Sequence, residues 1–135
     1  MSIDGDSLMR KSYSSKRRIV FRYTISSCRD CVINEFDIIQ QLIQENPLLG
    51  KDLFILTYYH NSSAMVGDIH ELRKRKINVP IFISQHLNGV PLEEENLPYY
   101  FVLEDDSIIR NVFICHHDKP HRTEAYLRSA IEFCK

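Results

Sequence analysis

The sequence predicts an α/β domain: a mixed central sheet covered by helices on both faces and completed by a C-terminal β-hairpin plus helix. Three observations predict it. From residue 19 to residue 84, short runs of β-branched and aromatic residues alternate with amphipathic segments of helical period. Two further apolar runs, 99 to 103 and 108 to 114, flank four polar residues, as expected of an antiparallel hairpin. A helical stripe of apolar residues then ends the chain.

Residues 1 to 18 hold Gly5, five serines and scattered charge without periodicity, and are read as a flexible polar leader to a single domain over 19 to 135. Ile19 to Ile25 is a strand buried for most of its length. Ser26-Ser27 offers hydroxyls to cap the next helix. From Cys31 onward Val32, Phe36, Ile39 and Ile43 recur at helical spacing, while Asn34, Glu35, Asp37, Gln40, Gln41 and Gln44 are assigned to the polar face. Asn46-Pro47 and Gly50 close this helix.

The nearly continuous apolar run Leu53 to Tyr59 predicts a central strand, and His60 to Ser63 a turn and cap. A helix from Ala64 to Arg75 aligns Met65, Ile69 and Leu72, with its basic end Arg73 to Lys76 at the negative pole of the dipole. Val79 to Ser84 is a short strand with proline near its start, and Gln85 to Asn96 is a loop. The hairpin turns at Glu104 to Ser107. The helix Arg122 to Phe133 places Leu127, Ala130, Ile131 and Cys134 on one face.

Composition narrows the function. A chain of 135 residues, 44% hydrophobic and 26% charged, has the balance of one globular domain. The formal net charge of -1 provides no field to gather nucleic acid, and the basic stretch Lys11 to Arg18 reads as a solvated tail. No run approaches the roughly 18 apolar residues of a membrane span. Met1 to Ser15 lacks the apolar region of a secretory signal, which leaves the compartment open.

Of the four cysteines, Cys28 and Cys31 form a C-x-x-C at the junction of the first strand and first helix. Leu97-Pro98 lies directly ahead of the strand Tyr99 to Leu103. Together these features resemble the thioredoxin superfamily. The extra strand around Ile81, the segment Leu97 to Asp106 and the run Ile108 to Ile114 look like its bacterial redoxin or TlpA-like branch, over residues 19 to 134. The resemblance implies a thioredoxin-like fold and thiol-disulfide oxidoreductase activity. It implies a cis-proline at Pro98 facing the cysteines, with the Leu97 backbone presented to an extended substrate. It further implies no cofactor beyond the redox-active Cys28-Cys31 disulfide, and a cell-envelope or periplasmic setting. Expected partners are protein thiols and disulfides plus an electron donor or acceptor, with the chain itself monomeric and no nucleic acid bound. Three departures stand out: no tryptophan precedes Cys28, the middle dipeptide is Arg29-Asp30 where thioredoxin has Gly-Pro, and Arg22 takes the strand position of a buried acid.

Disulfide exchange requires a thiolate, whereas an unperturbed cysteine with a pKa of about 8.5 is mostly protonated near neutrality. The unpaired N-H groups at a helix start stabilise the anion. Cys28, at the expected cap, is therefore the nucleophile and Cys31, one turn in, the resolving thiol. Arg29 and Asp30 act on that thiolate with opposite signs. The alternative is a non-catalytic binding or metal-handling module with the pair as an inert link or half of a zinc site. Zinc needs two more ligands, and there is no second C-x-x-C. Cys115-His116-His117-Asp118 with His121 has ligand-like residue types, but solvated loop histidines are the favoured reading and no metal is expected. Cys115 and Cys134 read as packing thiols that pair with each other only within about 7 Å. Tyr58, Tyr59, Tyr99 and Tyr100 read as packing residues of the sheet, and Glu93 to Glu95 as a solvated loop.

Overall fold

Strand β1, Arg18–Thr24, is buried on both faces along its centre, which accounts for its unbroken apolar run. In the computed structural model, residues 17–24, 27–58, 62–83, 97–104, 108–115 and 118–134 are described. The elements after β1 are α1 (Arg29–Glu45), α2 (Leu48–Asp52), β2 (Leu53–Tyr58), α3 (Ser62–Lys74), β3 (Ile81–Ile83), β4 (Tyr99–Glu104), β5 (Ile108–Ile114) and α4 (Pro120–Phe133).

Most elements lie within two residues of the sequence expectation, and the differences have local causes. Gly50, read as part of a turn, lies inside the five-residue α2. There the Asn46 side-chain oxygen accepts the Leu48 N-H at 3.1 Å, and Leu49 is buried. Helix α4 starts two residues early because Pro120 occupies its first turn, where a missing N-H costs nothing. Helix α3 ends in a Schellman motif. Lys76 adopts φ 60° and donates to the Arg73 carbonyl, while the Ile77 N-H reaches back to Leu72.

The five described strands form one sheet in the order β3-β2-β1-β4-β5. β1 pairs parallel with β2, from Ile19 opposite Leu53 to Thr24 opposite Tyr58. On its other side it pairs antiparallel with β4, Arg22 opposite Tyr99. β4 and β5 form the expected antiparallel hairpin, with an irregularity between Tyr100 and Val102. The turn itself, residues 105–107, lies outside the described residues, as do Ser84 of the expected strand, the expected loop 85–96 and the leader through residue 16.

The larger core cluster joins Ile19, Phe21 and Tyr23 of β1 to Val32, Phe36 and Ile39 of α1, Leu72 of α3 and Leu127 and Ile131 of α4. Val20, Phe54, Leu56, Tyr99, Phe101 and Leu103 form a second cluster on the opposite face. The described helices contribute their residues of the two clusters to the first, and the second is built from strand residues. Topology explains this: β1, β2 and β3 step outward in one direction, so right-handed crossovers place α1 and α3 on the same side.

Candidate active site

The corner between β1 and α1 positions the two cysteines. Ser27 donates its N-H to the Thr24 carbonyl at 3.0 Å, and its hydroxyl accepts the Thr24 N-H at 3.0 Å. The Ser27 hydroxyl thus closes the turn rather than capping the helix as expected. Cys28 takes the cap position, with φ -54° and ψ 118°. Its sulfur accepts the Cys31 N-H at 3.3 Å and its carbonyl accepts the Val32 N-H at 3.1 Å. Cys28 is exposed, while Cys31 is 5% exposed. The two are disulfide-bonded with their Cα atoms 5.2 Å apart, inside the range a disulfide accepts. One sulfur therefore faces solvent at the positive end of a 17-residue helix, and its partner sits one turn in.

Of the two residues between them, Asp30 is exposed in the first turn of α1. Arg29 crosses to α3 and forms an ion pair with Asp68. Asp68 is 1% exposed and also accepts the Tyr23 hydroxyl proton at 2.8 Å. A cavity of about 320 Å³ opens here, lined by Tyr23, Thr24, Ser27, Arg29, Gly67 and Asp68 among others. A Cβ added at Gly67 would meet nothing within 4 Å, so that side of the cavity is open space.

A second buried carboxyl corrects the reading of α1. Glu35, assigned to the polar face, is fully buried. It accepts the Tyr100 hydroxyl at 3.0 Å and the Thr123 hydroxyl at 3.5 Å. Four residues after Cys31, it lies on the same stripe of the helix, a spacing that was the available signal. Its hydroxyl partners come from β4 and α4, which no local pattern reveals. Burial pushes the Glu35 carboxyl above its ordinary value, against the hydrogen bonds from Tyr100, Thr123 and Cys115.

Cys115 and Cys134 are both free thiols and do not pair with each other. Cys115 is buried, and burial followed by the neighbouring Glu35 charge pushes its thiol well up. Burial pushes Cys134 up to about 11. Both positions agree with packing roles.

The expected cis-proline is not found. Every peptide bond among the described residues is trans, the Leu97-Pro98 bond included. The trans form is favoured by about 0.5–1 kcal/mol before proline. In it the Pro98 carbonyl accepts the Cys115 N-H at 3.0 Å, one step beyond the Tyr99-Ile114 pair of the hairpin. Pro98 is buried and Leu97 half-buried. Arg22, at the position of the missing acid, is fully buried between Leu56 and Tyr99. Among the described residues no three His, Cys, Asp or Glu side chains are grouped to hold a metal ion. His116 and His117 of the expected alternative lie outside the described residues. No described helix is long and apolar enough to cross a membrane.

No protein-family model and no curated protein matches the chain by sequence. Solved structures do match in shape. A secreted thiol-disulfide isomerase from Corynebacterium glutamicum aligns at TM-score 0.59 and 16% identity, over 98% of this chain and 84% of that one. The chain has the thioredoxin-like fold. The same thioredoxin-like fold relates it to a secreted disulfide oxidoreductase of Mycobacterium tuberculosis, homologous to Escherichia coli DsbE. There the TM-score is 0.50 at 15% identity, over 88% and 85% of the two chains. It also relates the chain to a bacterioferritin comigratory protein of Xanthomonas campestris, at TM-score 0.52 and 12% identity, over 90% and 83%. Within this thioredoxin-like fold the Cys28-Cys31 pair occupies the strand-to-helix corner.

Proposed function

We propose that this protein is a thiol-disulfide oxidoreductase that exchanges disulfides with a protein partner, Cys28 attacking and Cys31 resolving. The observation that carries the reading is the contrast within the pair. Cys28 is exposed at the cap of α1, and Cys31 is shielded one turn inside it. In the reducing direction the Cys28 thiolate attacks one sulfur of a substrate disulfide and releases the other as a thiolate. Cys31, deprotonated in turn, attacks Cys28, closes the intramolecular disulfide and releases the second substrate thiolate. Two electrons pass from enzyme to substrate, and solvent supplies the protons that the products take up. Oxidation of a substrate dithiol runs the same steps in reverse. The disulfide itself carries the electrons, so no other cofactor enters.

The helix N-terminus stabilises the attacking anion through its unpaired N-H groups and dipole. Leu97 and Pro98 run beside the end of β1, since Arg22 pairs with Tyr99, and form the floor of the substrate groove. The Pro98 carbonyl is engaged by Cys115, so an extended substrate pairs with the Leu97 backbone. Two of the similar folds belong to secreted proteins, which supports a cell-envelope setting.

The test is reduction of insulin by the dithiol protein. The expected result is turnover by the parent and none by Cys28→Ser, with Cys31→Ser accumulating a mixed disulfide with its target. Equal rates for parent and Cys28→Ser would leave a non-catalytic binding module as the function.

A further inference from the structure

We propose that Asp68, on α3, is a positioning residue of the redox site, which engages the guanidinium of Arg29 and so withholds that charge from the Cys28 sulfur. Arg29 directly follows the attacking cysteine, and a cation there would favour the thiolate. Yet its side chain, 54% exposed, is paired with a carboxylate that is itself buried. Tyr23 donates to the other carboxylate oxygen, which fixes the acceptor in place from the floor of the sheet. The arrangement ties β1, α1 and α3 together at the cavity beside the motif.

The charge balance decides the sign. Among the described residues, the elements that meet at the motif bring Arg29 and Asp30 from α1, Tyr23 from β1 and Asp68 from α3, together with Cys31. The Arg29 cation is held by the buried Asp68 carboxylate, while Asp30 is exposed in the first turn of α1. Neutralising Asp68 leaves Arg29 unpaired beside the thiol and makes Cys28 more acidic. A more stable thiolate favours the reduced form, so the protein also becomes more oxidising. No signal within the C-x-x-C motif reports this, because Asp68 lies 39 residues downstream of Arg29.

The inference rests on Cys28 as the attacking thiol, and its test is separable from the test of that reading. The pKa of Cys28 is measured from the pH dependence of its alkylation, resolved by peptide mass, in reduced parent, Asp68→Asn, Arg29→Gln and the double variant. This readout is obtained whether or not the parent reduces insulin. Asp68→Asn is expected to lower the Cys28 pKa by roughly half to one unit. The glutathione equilibrium should shift three- to tenfold toward the dithiol. In the Arg29→Gln background the same substitution should produce less than a third of that effect. Asp68→Glu, which keeps the charge, should hold the parent value. An equal shift from Asp68→Asn in the parent and in the Arg29→Gln background, or none in either, would overturn the proposal. If Asp68→Asn fails to fold by circular dichroism, the Arg29→Gln and Asp68→Glu pair decides. A Cys28 pKa displaced by Asp68→Glu, or lowered by Arg29→Gln, would also overturn it.

Discussion

The Tyr100 hydroxyl donates to the Glu35 carboxylate at 3.0 Å across 65 residues of sequence, with both side chains fully buried. The bond joins the motif helix to the strand beside β1, and it places an ionisable group inside the core. Burial also raises Tyr100 well above its ordinary value, with the Glu35 charge adding to the effect. The phenol therefore remains a donor.

A raised folded-state value means that the folded protein holds the Glu35 proton more tightly than the unfolded chain. This contribution to stability is complete below the ordinary carboxyl value of 4.5 and declines as pH rises through the higher folded value. Glu35→Gln removes the charge, its amide oxygen accepting the Tyr100 hydroxyl and its NH2 donating to the Thr123 hydroxyl oxygen. It should raise stability at pH 7 by on the order of 1 kcal/mol, with the gain vanishing below 4.5. Urea titrations of both proteins across this range check it, and a gain that persists in acid would refute it.

Thiol reactivity should divide sharply. In the reduced native protein at pH 8, iodoacetamide should label Cys28 first, while Cys115 and Cys134 remain unmodified until denaturant is added. Their thiols are raised by burial, Cys134 to about 11 and Cys115 further by the Glu35 charge. Peptide mapping against time is the measurement. Labelling of Cys115 as fast as Cys28 would contradict the buried geometry.

Packing and surface charge should differ in weight. Phe36 is fully buried and meets Phe21 and Tyr23 edge-on, with ring centroids 6.3 and 5.9 Å away. Phe36→Ala should cost about 3–5 kcal/mol. Arg128→Ala breaks an exposed pair with Glu45 at 2.7 Å and should cost under about 1 kcal/mol. Chemical denaturation of the two variants compares them directly.

The end of α3 offers a stabilising change. Lys76 holds a left-handed backbone at φ 60°, and both carbonyl bonds of the Schellman motif depend on that conformation. Lys76→Gly removes the steric cost of a side chain there and should gain roughly 0.5–1 kcal/mol. Lys76→Val, branched at Cβ, should lose more than that. Melting temperatures of the three proteins provide the readout.

Local patterns carried most of the fold. The apolar runs of β1, β2, β4 and β5 and the periodicity of α1 and α4 located those elements, and the C-x-x-C marked the strand-to-helix corner. What they could not carry was pairing at a distance. Glu35 reads as polar surface until Tyr100 and Thr123 arrive from other elements, and Arg29 reads as a charge opposed only by Asp30 until α3 brings Asp68. The cap position itself was legible, since Cys28 holds it as expected, but the hydroxyl offered beside it is used elsewhere. A serine hydroxyl is the usual cap, but Ser27 uses its hydroxyl on Thr24, one step too early in the turn. Pro98 was placed by resemblance alone, and a proline bond favours the trans form unless its surroundings select otherwise.

The strand that delivers the cysteines is the third of five, hydrogen-bonded to β2 on one side and β4 on the other. Fraying at either margin of the sheet therefore leaves that corner standing. Amide protons of Val20 to Tyr23 should exchange with deuterium only as fast as the whole domain opens. Redox competence should then persist in denaturant until the cooperative midpoint, and disappear there in a single step.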